Sequence, residues 1–167
     1  MIANMRCEEE GSFGDGSLND KTISKLQNLI QANIDSEKTL RDAARKVDDN
    51  QAAALFRDLA GEREMQARKL QQVVRAAGLD PKTTGTIRGA LHQCFLDLRA
   101  AVNSGKAVVV LEEAERGEDH IQHLYRDVVA DVEDSRLHAF LKKQAAAVVA
   151  GHDRVRDLRD LYRYQTS

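Results

Sequence analysis

The sequence predicts an all-α fold in which two helical hairpins are joined by a long crossover that contains an extra helix. Three observations lead to this prediction. Apolar residues recur at steps of three and four along most of the chain, which is the pattern of helices with one buried face. With no Trp, one Pro and 31% charged residues, the composition is typical of long helices. The 167 residues suit one domain with one core.

The start of the chain differs from the rest. Residues 1–18 contain three consecutive glutamates and three glycines with little apolar surface to bury, so we expect a flexible leader. Asn19 is a residue type that caps helix N-termini well. The folded domain is therefore predicted to run over 19–164.

A short polar turn separates the first two long helices. The apolar stripe of the first helix ends near Val47, and Asp48, Asp49 and Asn50 supply the turn and the cap of the second helix. The string Gly78-Leu79-Asp80-Pro81 ends that helix, because Gly favours the C-terminal cap and Pro cannot continue the hydrogen-bond ladder. The two helices should form an antiparallel hairpin. The polar residues within their stripes are Asn33, Glu37, Arg63 and Gln66.

The second half of the chain predicts a crossover helix and another hairpin. A shorter amphipathic segment at 87–102 is closed by Ser104-Gly105. The next helix, about 106–131, is apolar on nearly two sides, so the crossover helix is expected to cover its second side. Glu133-Asp134-Ser135 then begins the last helix, whose stripe includes the polar Gln144.

The two predicted hairpins match each other at an offset of 85 residues. The turn Val47-Asp48-Asp49-Asn50 falls on Val132-Glu133-Asp134-Ser135, and Arg41-Asp42 falls on Arg126-Asp127. This match indicates a duplicated hairpin, the alternative being two similar turns in Ala-rich helices. Two hairpins joined by one long crossover is the ferritin-like arrangement of a four-helix bundle.

A family resemblance rests on three strings of residues. They are Gly89-Ala90-Leu91-His92 in the crossover, Glu115-Arg116-Gly117-Glu118-Asp119 on the third bundle helix and His152-Asp153-Arg154-Val155 on the last. In these strings, and over about residues 20–163, the chain resembles a bacterial ferritin-like family of four-helix-bundle proteins of unknown function. The resemblance implies a fold and no activity, and the wider ferritin-like clan implies a di-metal carboxylate site as the feature to look for.

Such a site needs one Glu from each of two helices and a Glu-x-x-His from each of the other two. The chain holds each Glu-x-x-His only in part, since Ala67 stands where Glu64 needs a His, and Val149 stands where His152 needs a Glu. The candidate metal ligands are Glu37, Glu64, Glu115, Glu118 and His152.

Arg63 argues against a pair of metal ions in the centre. A guanidinium is charged at any useful pH and would repel cations, whereas it can donate two hydrogen bonds to a carboxylate. The more inward positions, Arg63-x-x-Gln66 and Val148-x-x-Gly151, add no carboxylate or imidazole. We expect Arg63 to pair with Glu37, and with Glu115 or Glu118. The predicted polar core is Asn33, Glu37, Arg63, Gln66, Glu115, Glu118 and Gln144. A weak metal site is one alternative, and residues that do not meet at all are the other.

Charge and cysteine content bound the function. With 25 basic and 27 acidic residues the net charge is −2, so no positive field favours nucleic acid. Basic and acidic residues alternate, which disfavours a membrane surface. Two cysteines and the absence of a long apolar run predict a cytoplasmic protein.

Two functions follow from these features. The first is a non-catalytic binding or structural module, a bundle that keeps a metal-free polar core, uses no cofactor and has a second copy of the chain as a candidate partner. The alternative is a weak or partial di-metal carboxylate protein of ferritin or rubrerythrin type that binds iron or manganese.

Overall fold

The computed structural model describes residues 18–85 and 89–165, which form five α-helices and no β-strand. The all-α prediction is confirmed. The predicted leader, apart from Leu18, lies outside the described residues, as do residues 87 and 88 at the start of the predicted crossover helix. None of the described helices is long and apolar enough to cross a membrane. The helices are α1 (Asp20–Lys46), α2 (Asn50–Ala76), α3 (Ala90–Val102), α4 (Ala107–Asp131) and α5 (Ser135–Gln165).

Side-chain caps set the N-terminal ends of three of these helices. The Asn19 carboxamide oxygen accepts a hydrogen bond from the backbone N–H of Thr22 at 2.8 Å at the start of α1. Asp49 caps α2 and Asp134 caps α5 in the same manner. Each cap satisfies a backbone donor that has no partner within its helix, which stabilises the helix by about 1 kcal/mol.

The long helices surround a shared core. α1 packs against α2 and α4, and α5 also packs against α2 and α4, while α3 lies against α1 and α4. Leu98 and Val102 of α3 share an apolar cluster with Val110 and Leu111 of α4. α3 therefore covers the second side of α4, as the width of the apolar face of α4 predicts.

Contacts between side chains give the helix directions. Between α1 and α4, Lys25 binds Asp131 and Asn33 binds Tyr125, so residue numbers rise along one helix as they fall along the other. Each hairpin, α1 with α2 and α4 with α5, is antiparallel because its connection, 47–49 or 132–134, is so short. α2 and α4 therefore run in the same direction. The chain between them has to return along the molecule, and α3 lies on that return.

The core consists of two apolar clusters separated by a polar layer. Along α2, Leu59 belongs to one cluster and Leu70 to the other, and Arg63 and Gln66 lie between them. The same change of cluster occurs on α4 on either side of Glu118. The apolar stripes of α2 and α4 are thus interrupted by polar residues at the same height.

Asp131 provides a test of the packing between α1 and α4. Hydrogen bonds from Lys25 and Lys21 lower the pKa of the Asp131 carboxyl from 3.8 to about 2. Because the pKa of Asp131 is lower in the folded chain than in the unfolded chain, the ionised carboxylate stabilises the fold at pH values above 3.8. This stabilisation is lost as the pH falls through about 2. The melting temperature of D131N should therefore lie below that of the parent at pH 6, and the gap should narrow between pH 4 and pH 2.

The matched control is D127N, which removes an exposed carboxylate one turn earlier on α4. Its melting temperature should follow the parent at each pH. A gap for D131N that stays constant down to pH 2 would mean that the lysines do not hold this carboxylate in solution.

Candidate functional site

The polar layer is a hydrogen-bonded set of six side chains that joins the four long helices, and we call it the buried network. All six are buried, and the two charged members, Arg63 and Glu118, are 0% and 2% exposed. The members are Asn33 of α1, Arg63 and Gln66 of α2, Glu118 and Tyr125 of α4, and Gln144 of α5.

The centre of the buried network is an ion pair between α2 and α4. Arg63 Nη2 donates to Glu118 Oε2, and Arg63 Nη1 donates to Gln66 Oε1 at 2.7 Å. The helical period turns Arg63 inward, since it lies four residues after Leu59 and seven before Leu70, both of which are fully buried. Removal of one partner from such a pair costs about 3–5 kcal/mol, because the other charge is left buried and unpaired.

Two glutamines connect the ion pair to α5. Gln66 Nε2 donates to the backbone carbonyl of Gln144 at 3.2 Å, and Gln144 Nε2 donates to the backbone carbonyl of Gln66 at 3.4 Å. This reciprocal pair fixes the height of α2 against α5. A shift of either helix by one residue would break both bonds.

The buried hydroxyl of Tyr125 links the network to α1. The Tyr125 hydroxyl donates to Gln144 Oε1 at 2.9 Å and accepts from Asn33 Nδ2 at 3.0 Å. Asn33 Nδ2 also donates to the carbonyl of Leu29 at 2.8 Å. Burial raises the pKa of Tyr125 well above its ordinary value, so the phenol keeps its proton and remains a donor.

Electrostatics within the network are balanced. Burial raises the pKa of Glu118, while the charge and the hydrogen bond of Arg63 favour the ionised carboxylate. One cation and one anion face each other, and the other members are neutral. Most of the polar atoms in the network bind one another, while Arg63 Nε and Asn33 Oδ1 are buried without a hydrogen-bond partner among the described residues. The arrangement can therefore orient the helices.

Five of the seven residues of the predicted polar core lie in the buried network, and two do not. Glu37 is bound by Arg41, one turn later on the same helix, and Arg41 also binds Glu64 at 2.8 Å. The predicted pair between Glu37 and Arg63 is thus wrong. Ser36 takes the inward position on α1, and Glu37 is turned to the edge of the stripe, where water reaches its carboxylate.

Glu115 lies outside the network because it meets α5 near the surface. Arg159 donates to its carboxylate, and the Nε2 atom of His152 lies 3.6 Å from Glu115 Oε1 and 3.0 Å from Asp119 Oδ1. Glu115 and Glu118 are three residues apart on α4, and Glu118 takes the inward position. Of the two α4 carboxylates that were alternatives as partners of Arg63, Glu118 is the one that binds it.

The five candidate metal ligands lie in three separate places. Glu37 and Glu64 bind Arg41, Glu118 binds Arg63, and Glu115 binds Arg159 with His152 beside it. Each candidate carboxylate has a guanidinium bound to it. Within residues 18–85 and 89–165, no three His, Cys, Asp or Glu side chains form a group that could hold a metal ion. The residues do not fit the di-metal carboxylate centre that the ferritin-like resemblance implies.

Tyr125 is absent from the predicted polar core. It lies on the apolar face of α4, where an aromatic ring is expected only to pack, yet its hydroxyl joins α1 to α5. The available signal was chemical, because a phenol at an inward position needs a hydrogen-bond partner, and Asn33 and Gln144 were two other inward polar groups.

A separate contact closes the end of the molecule where α2 begins and α5 ends. The Tyr162 hydroxyl donates to the Asp49 carboxylate at 2.8 Å, and burial together with this bond raises the pKa of Tyr162 to about 12. Asp49 is also the cap of α2. The phenol therefore holds the end of α5 on the first turn of α2.

A comparison with known families finds a match over most of the chain. The family described as "Domain of unknown function (DUF2383)" matches residues 21–131, about two thirds of the chain. The match includes α1 to α4, and with them every member of the buried network except Gln144. Among the curated proteins, none matches the chain significantly.

The Tyr125 hydroxyl can be tested alone. Y125F keeps the ring and removes the donor to Gln144 and the acceptor for Asn33, so two buried polar groups lose a partner. We expect a loss of about 1–3 kcal/mol in the free energy of unfolding, measured by chemical denaturation. Y164F, at a tyrosine that is 85% exposed, is the control and should change it by less than about 0.5 kcal/mol. Equal losses in the two variants would contradict the network.

Proposed function

The chain belongs to the DUF2383 family, and from its buried network we propose that it is a structural or binding module rather than an enzyme, built on a ferritin-like four-helix bundle. The four bundle helices in this proposal are α1, α2, α4 and α5, and α3 is the crossover helix.

Helix directions support the bundle topology. Neighbouring long helices run antiparallel, while α2 and α4 run in the same direction, so the two hairpins require one connection that returns along the bundle. A bundle with a single long crossover is the ferritin-like arrangement. The equivalent turns at 47–49 and 132–134 support two copies of one hairpin.

The observation that carries the functional proposal is the ion pair between Arg63 and Glu118. In bundles that perform chemistry, inward side chains of facing helices hold a cofactor or metal. Here the corresponding space contains a guanidinium, a carboxylate and two amides bonded to one another. Buried polar pairs of this kind can fix one packing of helices, because any other register leaves a charge unpaired. The role that this core supports best is that of a structural or binding module, in which the rigid packing of the helices holds the outer surface in one shape.

The proposal predicts that the purified chain carries little metal. Protein prepared without chelators should contain well under one equivalent of iron or manganese by elemental analysis, since arginines already bind the candidate carboxylates. Addition of Mn²⁺ or Fe²⁺ should leave the melting temperature unchanged, whereas a bound ion would raise it. Close to two ions per chain would overturn the proposal and favour a di-metal protein.

A further inference from the structure

The two hairpins are equivalent in structure as well as in sequence. α1 and α4 end 85 residues apart, and α2 and α5 begin 85 residues apart. Their caps obey the same offset, because Asp49 and Asp134 each accept a hydrogen bond from the backbone N–H three residues later, at 2.8 and 2.7 Å. Positions in one hairpin can therefore be paired with positions in the other.

This offset pairs the inward residues around the ion pair. We call these six residues the central positions, and all of them are buried. The matched pairs are Asn33 with Glu118, Arg63 with Val148, and Gln66 with Gly151.

The central positions have the spacing of a two-cation carboxylate centre. Such a centre takes a single Glu from each of two helices and residues three apart, Glu and His, from each of the other two. Positions 33 and 118 are single inward positions on α1 and α4, and 63 with 66 and 148 with 151 are the pairs three apart on α2 and α5. Only Glu118 is of a residue type that this centre uses.

The charge balance is kept although the ligands differ. Four carboxylates of a two-cation centre are neutralised by about four positive charges from the metal ions. In this chain one carboxylate remains, and one guanidinium neutralises it. A buried centre of either kind must be close to neutral, because an unpaired charge in the core is costly.

The backbone at Gly151 occupies the place of a further ligand. A Cβ atom at this position would lie 2.8 Å from Leu59 Cδ2 and 3.6 Å from Glu118 Oε2. No side chain fits here unless Leu59 moves. The carboxylate of Glu118 thus lies beside the backbone of Gly151 on α5, where Arg154 Nη2 is 3.7 Å from the same Cβ position, and Arg63 binds the carboxylate from the other hairpin.

We propose that Arg63 is the resident cation of the central positions, so that its guanidinium neutralises Glu118 where a two-cation carboxylate centre would hold its metal ions. This inference deepens the proposed function and rests on it. The cation is then a side chain of the protein itself, so the packing of the two hairpins does not depend on binding a metal ion. Arg63 is a positioning residue in this account, and its charge is required as well as its size.

Four variants separate charge from size. Lys and Met have side chains of similar length and differ in charge, so R63K and R63M are compared in the parent and in the E118Q background. With Glu118 present, R63K should melt roughly 5–10 °C above R63M, because the ammonium can still neutralise the carboxylate. In the E118Q background the order should reverse, since a buried ammonium then has no anion. The control pair is R68K and R68M at an exposed arginine, which should melt within about 2 °C of each other.

Each outcome decides the inference. If R63M fails to fold while R63K folds, the result is the expected one in a stronger form. Equal losses in R63K and R63M with Glu118 present, complete unfolding of both included, overturn the inference. So does a higher melting temperature of R63K in both backgrounds, because the gain would then not depend on Glu118. If one of these two contradicting results is obtained and the chain is metal-free, the inference fails and the proposed function stands. Two metal ions per chain would overturn both the inference and the proposed function.

Discussion

A guanidinium with no exposed surface has to be matched by an anion, and this constraint organises the centre of the molecule. Arg63 lies on α2 and its anion, Glu118, on α4, so the ion pair spans the core between the two hairpins. An unpaired charge there would cost about 3–5 kcal/mol, against a total stability of about 5–15 kcal/mol for a domain of this kind. This ion pair therefore fixes the height of α2 relative to α4 along the bundle.

The apolar clusters on either side of the network depend on that registration. Leu59 and Leu111 belong to the cluster on one side, and Leu70 and Ile121 to the cluster on the other. Apolar packing alone tolerates helix shifts, because leucines and valines can exchange neighbours at modest cost. The reciprocal bonds of Gln66 and Gln144 do not tolerate such shifts, since both are lost together. The polar layer supplies the specificity and the apolar clusters supply most of the stability.

The sequence predicted the helices well because their signals are local. Asn19 and Asp49 cap the helices that they were expected to cap, and the wide apolar face of α4 implied the helix that covers it. The partner of Arg63 was harder to predict because Glu37 and Glu118 both lie near inward stripes. Glu37 lies only about 40° around the helix axis from the buried Asn33, and the spacing of apolar residues along a stripe does not resolve that angle. Tyr125 was missed for a related reason, since stripes record apolarity and not hydrogen-bond demand.

The charged members of the buried network lie within the part of the chain that the family matches, whereas the part beyond the match contributes only neutral groups. Both charges and the phenol lie within residues 21–131, on α2 and α4. α5 lies beyond the match and contributes the Gln144 side-chain amide, the Gln144 backbone carbonyl and the small Gly151. Neutral groups of this kind complete a charged centre without altering its charge balance. The ion pair and its neutrality are therefore complete within the matched helices, while α5 provides the surface that encloses them and the space that the Glu118 carboxylate occupies.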